Sequence, residues 1–377
     1  MNPLVTALEG STIRALHARR RPTSIDLGLG QPTLPPTVEY FERATRWVAE
    51  HGCPYSTNAG DVALREAIAS HYAYPALDVA ANVCVTTGSQ EAVYVALKTV
   101  LDPQRDELLV VEPAFPIYGK IAQLEGIAVR KVSMGAAGGF AFDPERILEA
   151  IGPATRVVVV CSPCNPTGKV IGDAAVRRIA QALLDRPGPP VYVLHDEIYR
   201  EQTYVEDAGE FAKHYPYTLA INSLSKSNSL TGLRLGWVIS PADVSAEIVK
   251  AHGWVTSCAS TFGQRVALEI FHDGALGEHA AWYRTQRDAV IPLARASGLD
   301  FIEPEGAFYL CLRAGVADSK AFCFELLERE DVVAVPGRLF DASFEGWVRT
   351  SFVGPLADIR EGFARIAEMS ALAAAAT

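Results

Sequence analysis

The stretch from residue 82 to residue 242 alternates short apolar, β-branched runs with amphipathic stretches of helical period, and this alternation limits the possible folds most strongly. The apolar runs are residues 83–86, 108–111, 157–161, 191–194, 219–222 and 235–239. Two amphipathic stretches between them are 92–101 and 174–184. Apolar strands that alternate with crossover helices are typical of a parallel sheet covered on both faces. The pattern therefore predicts a doubly wound α/β core.

The rest of the chain predicts a second, smaller domain. With 377 residues, the chain is longer than a single hydrophobic core usually supports. Beyond Pro241 the pattern changes to helices at 242–252, 263–271 and 278–291, then to an α+β segment with strands at 301–312 and 346–352. We expect an N-terminal segment, 1–40, that packs with the small domain, a large domain, 41–280, and a small C-terminal domain, 281–377.

The net charge and the cysteine content limit which binding partners and which cellular compartment are expected. The net charge of -10 disfavours nucleic acid and anionic membranes. No apolar run approaches the roughly eighteen residues that cross a bilayer, and the N-terminus lacks the apolar core of a secretion signal. The seven scattered cysteines indicate a reducing cytoplasm. Cys161 and Cys164 form a C-x-x-C without a second ligand pair, so no metal site is predicted; redox use or small buried residues remain the two readings.

Polar or glycine-containing loops follow several of the predicted strands. They are residues 87–90 (TGSQ), 112–115 (EPAF), 162–166 (SPCNP), 195–197 (HDE) and 223–226 (SLSK). In open α/β sheets, ligands bind outside the carboxyl ends of the strands. We therefore expect the chemistry of this chain in these loops.

The segment 223–237, SLSKSNSLTGLRLGW, resembles the lysine signature of the class I/II aminotransferases, which are fold-type-I enzymes dependent on pyridoxal phosphate (PLP). The other loops match that family in the same order, and the match extends from Gly30 to Arg349. The resemblance implies a large domain with a mostly parallel sheet sandwiched by helices, a smaller α+β domain, and PLP as the cofactor.

Lys226 and Asp196 are the candidate catalytic pair. A lysine at a strand end among hydroxyls and glycine is partly desolvated and can act as a neutral amine; by resemblance, Lys226 forms the Schiff base with PLP. Asp196 follows an apolar strand, and a buried carboxylate requires a cation. The family supplies one, the protonated pyridine nitrogen. Tyr199 and Asn165 match the residues that bind the 3-oxygen of the ring, although Asn165-Pro166 is also a common turn.

A second group of residues matches the phosphate site. Gly88, Ser89 and Gln90 precede an amphipathic helix, and a helix N-terminus suits a dianion; the other reading of Ser89 is an ordinary N-cap. The resemblance adds further phosphate ligands, namely Ser223, Ser225, Arg234 and, from the neighbouring subunit, Tyr55. The other reading of Arg234 is a surface ion pair. The role of Tyr55 implies a homodimer with shared active sites.

Three further residues match positions around the ring and the substrate. Phe115 stacks on the cofactor in related enzymes; core packing is its other reading. Arg349 lies in an apolar, strand-like run, where a guanidinium needs an anion. By resemblance that anion is the substrate α-carboxylate, approached also by Gly30 and Asn165; a structural salt bridge is the alternative. Arg338 departs from the family, which has a small residue there, and binds either a distal carboxylate or a surface acid.

The resemblance implies an aminotransferase that moves an amino group from an L-amino acid to a 2-oxo acid, by a ping-pong mechanism through the Lys226 Schiff base. A C–S lyase or other α-carbon chemistry is the alternative on the same fold. A lyase would release pyruvate and ammonia without an acceptor. A transcription regulator is disfavoured because the first motif already appears by Gly30. A non-catalytic PLP-binding protein is disfavoured because Lys226, Asp196 and Arg349 are all present.

Overall fold

The computed structural model describes residues 1–75 and 79–375, with only the backbone described at 79 and 80. Its helices are α1 (Pro3–Thr6), α2 (Thr12–Arg19), α3 (Val38–His51), α4 (Val62–Tyr72), α5 (Val79–Asn82), α6 (Ser89–Val100), α7 (Ile117–Leu124), α8 (Pro144–Ala150), α9 (Asp173–Asp185), α10 (Phe211–His214), α11 (Leu224–Ser227), α12 (Ala242–Thr256), α13 (Thr261–His272), α14 (Ala280–Ala296), α15 (Ser319–Glu330) and α16 (Leu356–Ala375).

The strands form three sheets within these residues. They are β1 (Ile25–Asp26), β2 (Val83–Thr86), β3 (Glu107–Glu112), β4 (Ala128–Ser133), β5 (Thr155–Cys161), β6 (Tyr192–Asp196), β7 (Thr218–Ser223), β8 (Gly236–Ile239), β9 (Phe301–Ile302), β10 (Tyr309–Arg313), β11 (Val332–Val333), β12 (Val335–Pro336) and β13 (Trp347–Ser351). The large sheet has the order β2-β8-β7-β6-β5-β3-β4, and a four-stranded antiparallel sheet has the order β12-β13-β10-β9.

The large sheet confirms the predicted α/β class. It is parallel except for β8, which runs antiparallel to both β2 and β7. Successive side chains of β5 point to opposite faces. Val157 and Val159 pack with residues of α6, α7 and α12, whereas Val158 and Val160 pack with residues of α9 and α10. Burial on both faces explains why the inner strands are continuous apolar runs.

All six predicted strands of the large sheet are present, but β4 was not predicted. This strand lies at the edge, and its residues are only partly buried or exposed. Arg130 pairs with Glu107 at 2.7 Å, and Lys131 pairs with Glu112 at 2.7 Å. Charged side chains protect an edge strand from further pairing, and they also remove the apolar pattern by which the other strands were found.

The predicted strand at 301–312 is also wrong in detail. It consists of β9 and β10, and these pair antiparallel with each other across a turn. Pro304 and Gly306 lie in that turn, and Ala307 has a positive φ of 58°. Such residues interrupt a strand, so the chain reverses and places Tyr309 at the start of β10.

The N-terminal segment contacts the C-terminal part of the chain through a two-stranded parallel sheet of β1 and β11, in which Ile25 lies opposite Val332. Helices α14 and α16 contact each other nearby. The division of the chain at residues 40 and 280 stays a prediction. Among the described residues, no helix is long and apolar enough to span a membrane.

Candidate active site

A cavity of about 760 Å³ opens at the carboxyl ends of the central strands. Cys161 at the end of β5 lies opposite Asp196 at the end of β6, and β7 leads directly into α11. The cavity brings together eleven of the predicted site residues: Gly30, Ser89, Gln90, Phe115, Asn165, Asp196, Tyr199, Ser225, Lys226, Arg234 and Arg349. They come from points up to about 320 residues apart, so the fold gathers them at one edge of the sheet, as the position of the loops predicts.

Lys226 lies in α11, whose N-cap is Ser223. Its Nζ donates a hydrogen bond to the backbone oxygen of Gly30. Burial lowers the pKa of Lys226 to about 8, and the positive charges of Arg349 and Arg234 act in the same direction. An ordinary lysine stays almost fully protonated near neutral pH. Lys226 therefore provides more of the neutral, nucleophilic amine under those conditions than an ordinary lysine does.

Asp196 presents a buried carboxylate to the same cavity. Its Oδ2 accepts a hydrogen bond from the Tyr118 hydroxyl at 2.6 Å, and its Oδ1 accepts one from the Ile198 amide at 3.2 Å. Burial raises the pKa of Asp196 above its usual range, against these two hydrogen bonds. No Lys, Arg or His nitrogen of the described chain forms an ion pair with it. A cation that enters the cavity would therefore find a carboxylate without a competing partner.

Arg349 is 2% exposed, yet it forms no ion pair with any described carboxylate. Nη1 donates to Asn165 Oδ1 at 3.0 Å, and Nη2 donates to the backbone oxygen of Gly28 at 2.7 Å. The guanidinium carbon lies 4.4 Å from the ring centre of Tyr309. The structural salt bridge considered for Arg349 is thus absent among the residues that the structure describes. Neutral oxygens and rings hold the cation in place, and its charge remains available to an anion in the cavity.

Tyr199 and Tyr309 form a second buried pair. Their hydroxyl oxygens lie 2.8 Å apart, and their rings meet edge to face. Burial raises the pKa of Tyr199 well above its ordinary value, so the hydroxyl is a neutral hydrogen-bond donor. Phe115 packs against two apolar clusters and also lines the cavity. Core packing is therefore present, and stacking on a cofactor stays a prediction.

One end of the cavity, where a phosphate is expected from the sequence, lies at the N-terminus of α6. Gly88, with φ of 84°, is the N-cap residue, and Ser89 is the first residue of the helix, so Ser89 does not cap it. Arg234 forms no ion pair with a described carboxylate and donates instead to the Thr231 backbone oxygen. A helix N-terminus and an adjacent guanidinium together favour a bound anion.

Two glycines keep this end of the cavity compact. A Cβ at Gly88 would lie 2.5 Å from Arg234 Nη2, and one at Gly236 would lie 2.6 Å from the Ser89 amide nitrogen. A side chain at Gly236 would meet backbone atoms, and one at Gly88 would displace the Arg234 guanidinium. The backbone of β8 and this guanidinium therefore lie directly against the loop. Gly88 itself does not line the cavity, but it contacts Arg234, which does.

The close approach at Gly236 leads to a first prediction. Gly236→Ala should lower the free energy of unfolding by about 3 kcal/mol, because its Cβ meets backbone atoms of Ser89 and Gly88 that cannot move aside cheaply. It should also weaken cofactor binding, because the loop must shift. The matched control is Gly232→Ala, where a Cβ meets no atom within 4 Å. Thermal melting and a cofactor titration check both variants; equal stability of the two would contradict the packing argument.

Besides Gly88, three candidate residues lie outside this cavity. Ser223 is fully buried and its Oγ accepts from the Ser225 amide, so it shapes the turn before Lys226. Tyr55 is 88% exposed and does not line the cavity. Arg338 is 62% exposed and pairs with Glu345 at 3.3 Å, which is the surface ion pair that the sequence analysis weighed against a distal-carboxylate role.

The structure adds two tyrosines, and the side chains of α2 that face the cavity, to the residues expected from the sequence. Tyr118 holds Asp196, and Tyr309 holds Tyr199 and lies under Arg349. Tyr118 lies in α7, three residues after Phe115 in EPAFPIY, and its place in that segment was a usable signal. Tyr309 carried no signal of its own, because its partners are more than thirty residues away in the chain. Helix α2 also lines the cavity.

The residues present fit PLP. An anion site at a helix N-terminus, a buried carboxylate without a cation and an amine of lowered pKa match the phosphate, the pyridinium nitrogen and the aldehyde of that cofactor. The cavity of about 760 Å³ offers the space for it. Fold and site together define the class of fold-type-I PLP-dependent enzymes.

Comparisons with known proteins identify the family within this class. The profile described as aminotransferase class I and II matches residues 22–366. A probable N-acetyl-LL-diaminopimelate aminotransferase of Bacillus subtilis is 33% identical over 378 residues, which cover 97% of this chain and 94% of the relative. An aspartate aminotransferase of Pyrococcus horikoshii is 32% identical over 96% of this chain and 95% of its own length.

Solved structures agree with this assignment. A mutant of the Thermus thermophilus aspartate aminotransferase superposes with a TM-score of 0.90 at 28% identity, covering 98% of this chain and 99% of that one. An aspartate aminotransferase of Thermotoga maritima gives a TM-score of 0.89 at 27% identity, over 98% and 99% of the two chains. The chain belongs to the class I and II aminotransferases. It is a PLP-dependent transaminase that acts on amino acids and 2-oxo acids, and the lyase alternative is not favoured.

Proposed function

We propose that Lys226 is the amine that holds PLP in this aminotransferase and that its Nζ moves the proton at the substrate α-carbon. One observation carries this proposal: the amine of Lys226 and the carboxylate of Asp196 open into one cavity, with Arg234 and Arg349 as further cations in its wall. The lowered pKa of Lys226, about 8, suits an amine that alternates between accepting and donating a proton.

The remaining roles follow from the contacts of each side chain. When bound, PLP supplies an electron sink that acidifies the α-carbon of the amino acid. Asp196 holds a proton on the ring nitrogen by its negative charge, and Tyr118 keeps that carboxylate oriented. Tyr199 donates to the ring oxygen while Tyr309 fixes its hydroxyl. These side chains are buried and paired, so they are preorganised before the substrate enters.

The two ends of the cavity receive the two anionic groups. Ser89, Gln90 and Ser225 offer donors to the cofactor phosphate beside the charge of Arg234. Arg349 and Asn165, joined by a hydrogen bond of 3.0 Å, bind the α-carboxylate near the backbone of Gly30. Fixing both ends orients the α-carbon toward Lys226, and such positioning lowers the barrier by several kcal/mol.

A homodimer, a cytoplasmic location and the two-domain division complete the proposal. Tyr55 and Trp254 are 88% and 90% exposed, and large exposed aromatic side chains are enriched at protein interfaces. In a dimer, Tyr55 would reach the phosphate of the neighbouring subunit. All seven cysteines are free thiols, as is usual in a reducing compartment. The pairing of β1 with β11 supports an N-terminal segment, 1–40, that packs with the domain 281–377 beside a cofactor domain, 41–280.

Arg349 provides the test of this proposal. Arg349→Gln should lower kcat/KM for amino-acid donors by about 10²- to 10³-fold, because a buried charge-assisted pair with the α-carboxylate is lost. The kcat/KM of Arg349→Lys should lie between those of Arg349→Gln and the wild type, because an ammonium group cannot form the two parallel hydrogen bonds that a guanidinium forms with a carboxylate. A primary amine without a carboxylate is the matched donor, and its slow reaction should be unaffected. An equal loss with both donors would refute the assigned role.

A further inference from the structure

One face of α2 is turned toward the cavity. Ile13, Arg14, His17 and Ala18 line it, and residues at this spacing share one side of a helix. Arg19 lies on the opposite side, with its guanidinium carbon 4.7 Å from the ring centre of Phe324. The helix therefore presents Arg14 and His17, one turn apart, to the volume in which the substrate reacts.

The described lining of the cavity carries an excess of positive charge. Five of its residues are Arg or Lys, and one carboxylate faces them: Arg14, Arg20, Lys226, Arg234 and Arg349 against Asp196. The phosphate and the α-carboxylate account for two of these cations under the proposed function, and Lys226 is the reacting amine. Arg14 and Arg20 are left without an assigned anion.

Arg20 and Arg14 differ in their protein partners. Arg20 Nη1 lies 3.2 Å from Asp26 Oδ2, and His17 Nδ1 lies at the same distance from that oxygen. The guanidinium of Arg14 has no hydrogen-bond partner and no carboxylate within 4 Å among the described residues. His17 Nε2 is buried and likewise has no partner there. The guanidinium of Arg14 and the Nε2 atom of His17 thus have no protein acceptor among the described residues, and both residues line the cavity from one helix face.

We propose that Arg14, assisted by His17, binds a second anionic group at the end of the substrate remote from its α-carboxylate. The guanidinium suits a carboxylate or a phosphate, which it can bind in a fork. Amino-acid donors and 2-oxo-acid acceptors that carry a second acidic group are then preferred to neutral substrates of the same length. This inference rests on the proposed function, in which Arg349 takes the α-carboxylate.

Binding of unreactive acids to the holoenzyme tests the proposal apart from catalysis. Calorimetry with glutarate, a dicarboxylic acid, and pentanoate, its monocarboxylic match, measures what the second carboxylate contributes. Arg14→Gln should weaken glutarate binding about tenfold, because a charge-assisted pair is lost, and leave pentanoate binding unchanged. Arg14→Lys should fall between. Arg19→Gln, on the opposite side of the same helix, should bind both acids as the wild type does. A terminal phosphonate in place of the second carboxylate shows which anion the site prefers.

The possible results separate this inference from the proposed function. If Arg14→Gln weakens both acids equally, or neither, the second anion site at Arg14 is overturned. If Arg349→Gln weakens both acids while Arg14→Gln changes neither, the proposed function stands and only the inference fails. If Arg349→Gln changes neither acid, the proposed function itself fails. Arg14→Lys retains the charge on the helix, so a folding defect of the glutamine variant does not leave the question open.

Discussion

Lys226→Ala should lower kcat by at least about 10⁴-fold, the largest effect of any single substitution in this chain. The variant loses the amine that binds the cofactor covalently and, with it, the base at the α-carbon, and positioned proton transfer alone contributes up to about 10⁴-fold. The absorbance of the bound cofactor should change to that of an unlinked aldehyde. Lys131→Ala is the control, because Lys131 lies on the edge strand and pairs with Glu112.

A small primary amine in the buffer separates a chemical role of Lys226 from a structural one. If Nζ is the base, added amines should restore part of the activity of Lys226→Ala, and more basic amines should restore more. A variant that is merely misfolded would not respond to them. Full activity of Lys226→Ala, or an unchanged absorbance, would remove Lys226 from the reaction.

Asp196→Asn should lower kcat by about 10²- to 10³-fold, which is typical of removing a preorganised charge at a reacting centre. Asparagine has the same shape and can keep the contacts with Tyr118 and the Ile198 amide. It lacks the negative charge that holds a proton on the ring nitrogen. Tyr118→Phe should have a much smaller effect, about tenfold, because it removes one hydrogen bond and leaves the charge. Steady-state kinetics of both variants checks this order.

The stability of the cofactor-free Asp196→Asn variant should move in the other direction. Burial raises the pKa of Asp196, so the folded chain holds the ionised carboxylate less favourably than the unfolded chain does at pH values above that pKa. Removing the charge should therefore leave the melting temperature at neutral pH unchanged or higher. A lower melting temperature together with lost activity would indicate that Asp196 maintains the fold and not the chemistry.

The inner strands could be predicted from the sequence because both of their faces are buried, so that each reads as an uninterrupted apolar run. The edge strand β4 could not, because Arg130 and Lys131 place charge where the inner strands have apolar side chains. The antiparallel direction of β8 depends on which strands it lies between, and no local pattern records that choice.

The site shows the same division between local and long-range information. Lys226, Asp196 and Asn165 lie at or just after strand ends within recognisable segments, and the fold brings them to one cavity. The contact between Tyr199 and Tyr309 joins residues 110 positions apart, and nothing near either residue predicts it. The segment 11–21 could be expected at the entrance of the site, but its cavity-facing side chains could not be named, because a helix of eight residues between Gly10 and Pro22 gives too short a pattern to orient against the rest of the chain.

The most direct test of the account is to identify the lysine that carries the cofactor. Borohydride reduction of the holoenzyme makes the bond between cofactor and lysine permanent, and peptide mass spectrometry then locates it. We expect the label on the peptide that contains Lys226, at one cofactor per chain. A label on any other lysine, such as Lys169 beside Glu305, would contradict the proposed chemistry of this site.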